Sequence, residues 1–424
     1  APSVYEAAAS DVAVDMEVFN EPGRQRELIQ RAITFFSYEY FLRAGEDLAR
    51  LDVPNDAVVS LFRDQLLVQL RSDWLITGQR HGAGSLLAMP LVAFIEGNRG
   101  FETLFKPSAQ ISLDSFSRTR DGLLLNTLDK VRGRVTALRY AQGRWSRSEL
   151  RVPEFGQAAA SALNGEQSND YTLTVENFTT PTRLLGGQLG SKEHRLLKQL
   201  PAFFDASGIE ITQREAVSKD GTVIPYFQVA RAGIKADGSN PTLLYGYGGF
   251  EIALTPGYRA AVGAAWLERG GVYVLANIRG GGEFGPPWHQ AALRENRQRA
   301  YEDFAAVAED LLQRRVTSPK HLGIQGGSNG GLLMGVMLTQ RPELFGAVVC
   351  QVPLLDMRRY HRLLAGASWM SEYGNPDDPV AWAYLSRYSP YQNVRKDLKY
   401  PPALLTTSTR DDRVHPGHAR KMTA

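Results

Sequence analysis

Residues 321–339 read His-Leu-Gly-Ile-Gln-Gly-Gly-Ser-Asn-Gly-Gly-Leu-Leu-Met-Gly-Val-Met-Leu-Thr, with a serine between two apolar runs. The first run predicts a short strand from His321 to Gln325, and the second predicts a helix that begins at Asn329. The glycines around the serine suit a sharp strand-to-helix turn, where larger side chains would clash. A serine on such a turn projects its hydroxyl above the sheet, which makes Ser328 the candidate nucleophile.

The same turn predicts part of the catalytic machinery around the serine. The backbone N–H of Asn329 lies at a helix N-terminus, where it can bind an oxyanion. A serine also needs a base, usually a histidine that a carboxylate orients, and on an α/β-hydrolase fold the chain order is Ser, Asp, His. Asp411 and Asp412 follow the predicted strand from Ala403 to Thr407, where the acid belongs.

The histidine of this set is not apparent in the sequence. Only His415 and His418 follow the acid, and both lie within a few residues of it at the start of a predicted helix. The base normally comes from a separate loop after a further strand, so we expect neither histidine to be the base. We expect the catalytic histidine to lie beyond Ala424.

The strand-to-helix turn at Ser328, a nucleophile elbow, lies in a half of the chain where strands and helices alternate. Strand-like runs are predicted at 242–245, 271–278 and 347–352, and the positions from Ala300 to Leu312 keep one helical face apolar. This alternation predicts a mainly parallel sheet with helices on both faces. We therefore expect residues 201–424 to form an α/β-hydrolase domain that lacks its C-terminal end.

The first half of the chain is repetitive. Short apolar strands begin at residues 85, 134 and 183, and each has another strand upstream of it, at 64–68, 121–125 and 170–175. A period near 49 residues built from short strands and polar turns is typical of propeller blades. We expect residues 1–200 to be part of an all-β propeller domain, incomplete here, with a β-sandwich as the alternative.

The composition excludes several functions and leaves others open. The 424 residues carry 48 basic and 45 acidic side chains, a net charge of +3, which gives no reason to expect a nucleic-acid partner. The longest apolar run, from Leu86 to Ile95, is too short to span a bilayer, so no membrane association is expected. The compartment, cytoplasmic or periplasmic, stays open, as does the oligomeric state. Cys350 is expected to be a buried, inert thiol.

Several segments, in this order along the chain, resemble the prolyl oligopeptidase family of serine peptidases. They are residues 245–250 (Tyr-Gly-Tyr-Gly-Gly-Phe), residues 277–283 (Asn-Ile-Arg-Gly-Gly-Gly-Glu), the Ser328 elbow, residues 369–374 (Trp-Met-Ser-Glu-Tyr-Gly) and residues 411–414 (Asp-Asp-Arg-Val). The resemblance covers the whole α/β half, and the period of the first half agrees with the β-propeller of that family.

The resemblance implies a role for each matching residue. Ser328 matches the nucleophile, Asp411 the triad acid, and Tyr247 the tyrosine whose hydroxyl joins the Asn329 N–H in the oxyanion hole. An aromatic pocket for proline and its further positions match Phe250, Trp369, Tyr373, Val414 and Leu354, the last in place of the usual valine. Arg413 matches the residue that binds a substrate carbonyl. A flat aromatic face suits a rigid apolar ring.

The expected activity is that of a serine endopeptidase that cleaves short peptides after proline through an acyl-enzyme, without a cofactor. One alternative is a sister oligopeptidase with basic-residue or acylaminoacyl specificity, for which Glu372 is a candidate acid near Trp369. Another is an inactive fragment or a non-catalytic propeller scaffold. Without the resemblance, Trp369 and Tyr373 would be interpreted as core residues, and Arg413 as the partner of a local ion pair.

Two further patterns resemble ligand-binding motifs but lack the features that those motifs need. Residues 280–285 match the dinucleotide fingerprint G-x-G-x-x-G, but Pro286-Pro287 follows at the point where that fingerprint needs a helix. We therefore expect no dinucleotide site. The seven histidines are scattered without ligand spacing, so no metal site is expected either.

Overall fold

Short antiparallel strands make up the first half of the chain in the computed structural model, which describes residues 4–21, 23–154 and 156–424. In chain order these elements are β1 (Ala13–Glu21), β2 (Arg24–Thr34), β3 (Ser37–Ala44), β4 (Asp47–Arg50), β5 (Val58–Phe62), β6 (Gln65–Gln69), β7 (Trp74–Ile76), β8 (Gln79–His81), β9 (Leu86–Pro90), α1 (Leu91–Ile95), β10 (Glu102–Phe105), β11 (Ile111–Thr119), β12 (Gly122–Asp129), β13 (Arg132–Ala141), β14 (Arg144–Glu149), β15 (Gln157–Ala162), β16 (Asp170–Glu176), β17 (Arg183–Gln188) and β18 (Arg195–Gln199).

These strands form four sheets of four strands each. The sheets contain β1 to β4, then β5, β6, β9 and β10, then β11 to β14, then β15 to β18, while β7 and β8 form a separate hairpin. Every pair of neighbouring strands in them is antiparallel. The three strand pairs predicted from the sequence are the two inner strands of the second, third and fourth sheets. The repeat is therefore one four-stranded sheet, and its arrangement as a propeller stays a prediction.

The second half alternates strands and helices, as predicted. Its elements are β19 (Ile209–Val217), β20 (Val223–Arg231), β21 (Thr242–Tyr245), α2 (Ala260–Val262) with a π-helical continuation (Gly263–Leu267), β22 (Val272–Ala276), α3 (Pro286–Gln290), α4 (Gln298–Gln313), β23 (Leu322–Gly327), α5 (Asn329–Gln340), β24 (Ala347–Gln351), α6 (Met370–Tyr373), α7 (Pro379–Tyr388), β25 (Ala403–Thr406) and α8 (Gly417–Thr423).

One mixed sheet of seven strands organises this half. Its order is β19-β20-β22-β21-β23-β24-β25. Five neighbouring strands, β22, β21, β23, β24 and β25, are parallel to one another, whereas β20 is antiparallel to both β19 and β22. The prediction of a mainly parallel sheet holds for those five strands, and it did not include the antiparallel pair at 209–231. Because β21 and β23 are parallel neighbours, the loops after their carboxyl ends meet at one edge of the sheet.

The core of this half is the largest apolar cluster among the described residues. Leu244 of β21 and Ile324 of β23 are buried against Phe304 of α4, and the buried face of α5 packs in the same cluster. Gly246 has no room for a side chain, because a Cβ there would lie 2.7 Å from the Phe304 ring. The helices α4 and α5 therefore hold the end of β21 directly against the elbow.

The glycine-rich segment 280–285 corrects one expectation. We expected Pro286-Pro287 to prevent a helix, but the five-residue helix α3 begins at Pro286. Proline is compatible with the first turn of a helix, because the N–H that it lacks has no intrahelical partner there. A Cβ at Gly281 would lie 2.1 Å from Oε2 of Glu283, so that carboxylate fills the space beside this glycine.

Two smaller expectations concern burial and length. Cys350 is buried in β24, and burial raises the pKa of its thiol to about 12, in agreement with an inert side chain. In the part of the chain that the structure describes, no helix combines the length and the apolar character that crossing a membrane requires.

The central position of β21 leads to a stability prediction. Leu244→Ala should lower the free energy of unfolding by about 2–5 kcal/mol, because it leaves a cavity among fully buried side chains. Leu75→Ala is the control, since Leu75 lies in the β7–β8 hairpin and is 71% exposed. It should change stability by less than about 0.5 kcal/mol. Urea denaturation of both variants measures the difference, and equal effects would contradict a core built around β21.

Candidate active site

Ser328 lies on a strained turn between β23 and α5. Its φ is 58°, in the left-handed region that a residue with a side chain rarely adopts. The turn is fixed at both sides, since the Ser328 N–H donates to the Gln351 carbonyl at 2.9 Å and the Leu332 N–H donates to the Ser328 carbonyl at 3.0 Å. Backbone strain of this kind is typical of functional sites, where the surrounding structure maintains it.

The glycines on both sides of the serine are required by close backbone approach. A Cβ on Gly326 would lie 2.5 Å from the Gly330 carbonyl oxygen, and a Cβ on Gly330 would lie 2.8 Å from the Gly246 carbonyl oxygen. Both distances are shorter than real Cβ contacts. The elbow therefore packs directly against the loop that follows β21, which carries Tyr247.

Tyr247 lies beside the serine, as the sequence predicted. Its side chain is half-buried, and its phenol lies near enough to Ser328 for the serine to affect its pKa. Burial raises the pKa of this phenol, although the nearby positive charges of Arg297 and Arg413 and the interaction with Ser328 act in the opposite direction. Because the pKa is raised, the hydroxyl keeps its proton and can donate to a developing oxyanion.

The side chain of Asn329 has a structural task that sequence reasoning missed. It is buried, and its Nδ2 donates to the Tyr247 carbonyl at 2.6 Å. Its Oδ1 accepts from Arg297 Nη2 at 2.5 Å and from the Tyr373 hydroxyl at 2.7 Å. This amide therefore ties the elbow to the Tyr247 loop and to α6, while its backbone N–H stays at the N-terminus of α5.

Two of the three aromatic residues predicted to bind substrate are in direct contact. Phe250 and Tyr373 meet edge to face, with ring centroids 5.7 Å apart. Trp369 and Tyr373 belong to the same buried cluster as Leu354 and Val414, and the half-buried Phe250 packs against that cluster. Tyr373 is completely buried and donates to Asn329, so its hydroxyl supports the elbow. Their roles toward a substrate stay predictions.

Asp411 and Arg413 lie in one turn after β25. Oδ1 of Asp411 accepts from the backbone N–H of Arg413 at 3.0 Å and from that of Val414 at 2.9 Å. The contact between Asp411 and Arg413 is therefore made through the backbone of Arg413. The guanidinium of Arg413 is exposed, and its charge acts on Tyr247 across the site.

The two histidines near Asp411 are both hydrogen-bond acceptors of backbone N–H groups. Nδ1 of His418 accepts from Leu355 at 3.3 Å and from Asp356 at 3.1 Å, and burial lowers the pKa of this ring to about 4. Nδ1 of His415 accepts from the Gly417 N–H at 3.0 Å. Neither is assigned as the base of Ser328.

Glu372, which the sequence offered only as a candidate acid near Trp369, forms a buried ionic pair with Arg297. Arg297 is 1% exposed and Glu372 is 0% exposed, and Nη1 of the arginine donates to Oε1 of the carboxylate at 2.7 Å. The same Oε1 accepts the backbone N–H of Phe250 at 3.0 Å, while Oε2 lies 2.8 Å from His289 Nε2. Burial alone would raise the pKa of Glu372, but the hydrogen bond with His289 and the charge of Arg297 hold it below the ordinary value.

A cavity of about 260 Å³ opens beside Phe250 between the two halves of the chain. Its walls include Phe35, Phe36 and Tyr38 from the first sheet, together with Arg71 and Glu251. The rings of Phe35 and Phe250 meet edge to face at 5.4 Å. This cavity, which shares Phe250 with the candidate site, therefore has walls from both halves. Within the described residues, no three or more His, Cys, Asp or Glu side chains are grouped so that they could hold a metal ion.

A strained serine elbow at the carboxyl edge of a largely parallel sheet, with a tyrosine donor beside it, defines the catalytic half as an α/β-hydrolase unit. Residues 259–424 match the model of the prolyl oligopeptidase family. The second half of the chain is therefore similar to the prolyl oligopeptidase family.

Individual relatives extend this similarity over the whole chain. An uncharacterized peptidase of Sinorhizobium fredii is 45% identical over 402 residues, which are 93% of this chain and 55% of the relative. A prolyl endopeptidase of Elizabethkingia miricola is 38% identical over 278 residues, 65% of this chain and 39% of the relative. The solved structure of a post-proline cleaving enzyme from Rickettsia typhi superposes with a TM-score of 0.90 at 37% identity, covering 98% of this chain and 62% of that one. The chain thus spans about half the length of the curated relatives it matches.

The buried pair leads to a prediction about stability and pH. Glu372→Gln should cost about 3–5 kcal/mol at neutral pH, because it leaves the Arg297 charge buried without its partner. The folded-state pKa of Glu372 is lowered, so its contribution is present above the unfolded pKa of about 4.3 and is lost as the pH falls through the folded value. The difference from wild type should therefore shrink in acid.

Thermal and urea unfolding at about pH 7 and at several values below about pH 4.3, the ordinary pKa of a glutamate, measure this difference. Glu343→Gln is the matched control, because Glu343 is 60% exposed and pairs with Arg341 at 2.6 Å on the surface. Its effect should stay below about 1 kcal/mol. A Glu372 variant as stable as this control would show that the buried pair does not support the site.

Proposed function

We propose that this chain carries the nucleophile and the substrate pocket of a serine peptidase that cleaves short peptides on the carboxyl side of proline. Ser328 is the nucleophile, and Asp411 is the acid that orients a histidine base. The hydroxyl of Tyr247 and the backbone N–H of Asn329 are the oxyanion donors. The observation that carries the proposal is the position of Tyr247, whose loop packs against the strained elbow and whose protonated phenol interacts with Ser328.

The proposed reaction has two steps. The base takes the proton of Ser328 as Oγ attacks the carbonyl carbon that follows the proline ring, and the oxyanion receives hydrogen bonds from Tyr247 and Asn329. The C–N bond then breaks, the base passes the proton to the leaving amine, and an ester to Ser328 remains. Water hydrolyses this ester in the second step and restores the serine.

The preference for proline is supported by the apolar surroundings of the site. Phe250, Trp369, Val414 and Leu354 lie in or against the main apolar cluster of the second half, which also contains Leu332 and Leu333 of α5. Their faces suit a rigid ring that carries no charge. We propose that Trp369 and Phe250 contact the proline ring and that Arg413, with its exposed guanidinium, binds a substrate carbonyl. Relatives named prolyl endopeptidase agree with this preference.

The state of Glu372 weighs against a pocket for basic residues. A carboxylate that binds a substrate cation must have an oxygen free to reach it. Glu372 is fully buried, and its two oxygens are already occupied by Arg297, His289 and the Phe250 N–H. We therefore rank cleavage after Arg or Lys below cleavage after Pro.

We further propose that the four sheets of the first half are blades of a propeller that covers the site and admits short peptides. Two facts support this arrangement. The sheets begin at regular steps, at residues 13, 58, 111 and 157. The first sheet also reaches the pocket, because Phe35 packs against Phe250.

The experiment that tests the function uses the full-length protein and four matched substrates, with Pro, Arg or Lys before the scissile bond or with a blocked N-terminal residue. We expect cleavage of the Pro substrate only, and loss of about 10⁴-fold or more in Ser328→Ala. Ser146→Ala, on an exposed strand of the first half, is the control and should keep full activity. A serine-directed phosphonate should label wild type but not Ser328→Ala.

Other outcomes of this experiment contradict parts of the proposal. Preference for Arg, Lys or a blocked residue would overturn the proline specificity while leaving the nucleophile in place. Activity retained by Ser328→Ala would overturn the nucleophile. Absence of both cleavage and labelling in wild type would favour a non-catalytic scaffold.

A second prediction isolates the oxyanion donor. Tyr247→Phe should lower kcat by about 10²- to 10³-fold with little change in KM, because the hydroxyl binds charge that develops only in the transition state. Tyr245→Phe is the control, since its ring lies under Arg259 with the guanidinium 5.0 Å from the ring centroid. Since the pKa of Tyr247 is raised above about 10, wild-type activity should not fall through ionisation of this phenol below that pH. A Tyr247→Phe variant with normal kcat would exclude the role.

A further inference from the structure

One arginine from the first half of the chain reaches the buried network behind the pocket. Arg71 follows β6 in the second four-stranded sheet and is 8% exposed. Its Nε and Nη2 donate to Oε2 of Glu251 at 2.9 and 2.5 Å, and Nη2 also lies 3.0 Å from Nδ1 of His289. Its guanidinium carbon lies 4.1 Å from the centroid of the Phe36 ring. Arg71 is thus fixed on several sides in the contact between the halves.

The contact with Arg71 sets the hydrogen-bonding direction of His289. A guanidinium has only donors, so Nδ1 of the histidine must accept from Arg71. The proton of the neutral ring then lies on Nε2, which donates to Oε2 of Glu372 at 2.8 Å. Arg71 of the first half therefore fixes which nitrogen of His289 carries the proton. His289 in turn donates to the buried carboxylate of Glu372, and both of these residues belong to the second half.

From Glu372 the network divides toward both parts of the proposed active site. Oε1 accepts the Phe250 N–H at 3.0 Å. This bond holds the loop after β21 that carries Phe250 and Glu251, which we call the pocket loop. The same oxygen accepts Arg297 Nη1, and Nη2 of that arginine reaches Asn329 of the elbow at 2.5 Å. A continuous path of hydrogen bonds thus joins Arg71 to the residue that follows the nucleophile.

The backbone of the pocket loop explains why such support is needed. Phe250 and Glu251 are consecutive non-glycine residues with φ values of 56° and 58°. Left-handed conformations of this kind are unfavourable for residues with side chains and persist only where the surroundings hold them. Glu372 accepts a hydrogen bond from the backbone N–H of Phe250, and Arg71 forms an ion pair with the carboxylate of Glu251.

We propose that Arg71 is a positioning residue for the active site, supplied by the first half of the chain to the second. It maintains the strained Phe250-Glu251 conformation directly through Glu251 and indirectly through His289 and Glu372. The inference rests on the proposed function, because Phe250 and the elbow are the parts that it positions. Docking of the two halves then also completes the shape of the substrate pocket.

The test compares Arg71→Met with Arg63→Met in the full-length protein. Methionine keeps much of the apolar stem and removes the charge and the donors. Arg63 is a matched control, because its guanidinium contacts Asp121 and the carbonyls of Arg120 and Tyr140, all within the first half. Hydrogen exchange of the peptide that contains the Phe250 amide is measured together with kcat and KM for a proline substrate.

We expect Arg71→Met to speed exchange at Phe250 by about ten-fold or more and to lower kcat by about 10- to 100-fold, since misplacement of about 1 Å can cost that much. The control should match wild type in both readouts. If Arg71→Met exchanges like the control, the positioning role is wrong. Slower turnover without faster exchange would also overturn it and would indicate an effect on access to the site.

A second variant separates positioning from folding. Arg71→Lys keeps the charge near Glu251 but lacks the planar fork that reaches Glu251 and His289 together, so it should fall between wild type and Arg71→Met. If Arg71→Met does not fold, wild-type behaviour of Arg71→Lys in both readouts would contradict the proposal. Exchange needs no substrate, so the network is tested even if cleavage after proline is not observed. Loss of the proposed function and loss of the positioning role are thereby distinguished.

Discussion

The ionic pair between Arg297 and Glu372 is the interaction on which the candidate site depends. Two charges that are at most 1% exposed have lost their water, and this desolvation is tolerated only where well-placed hydrogen bonds replace it. The replacement partners are parts of the site itself, namely the amide of Asn329, the N–H of Phe250 and the ring of His289. The carboxylate therefore fixes the pocket loop, and the guanidinium fixes the elbow, at one point in the structure.

Around this pair, backbone strain is concentrated in two places. Ser328 has a φ of 58° at the elbow, and Phe250 with Glu251 adopts similar values in the pocket loop. Neither segment would keep this conformation in isolation, because left-handed backbone is unfavourable for residues with side chains. Parallel pairing of β21 with β23 brings the two segments to the same edge of the sheet, and the contact between Gly330 and Gly246 leaves no space between them.

The first half of the chain contributes to the site as well as adjoining it. Phe35 packs against Phe250, Arg71 binds Glu251, and the Ser112 hydroxyl donates to the Glu283 carbonyl at 3.0 Å. These contacts involve the pocket loop and the glycine-rich segment after β22, which are both loops at the edge of the sheet. Loops that carry function are usually positioned by a rigid scaffold, and here the scaffold comes from both halves. The cavity beside Phe250 lies where the two meet.

Features that depend on neighbours in the chain could be predicted from the sequence: the elbow at Ser328, the strand β21, the helix α4 and the repeating strands of the first half. Glycine spacing and apolar periodicity report them because both act over a few residues. The same rules failed at Pro286, where a proline that starts a helix was interpreted as one that prevents it. The network of Arg71, His289, Glu372 and Arg297 was decided only by tertiary structure. Its contacts join residues 75 to 218 positions apart, and in sequence these charges look like any solvated ones. Only folding removes their water, and without water each must find a partner.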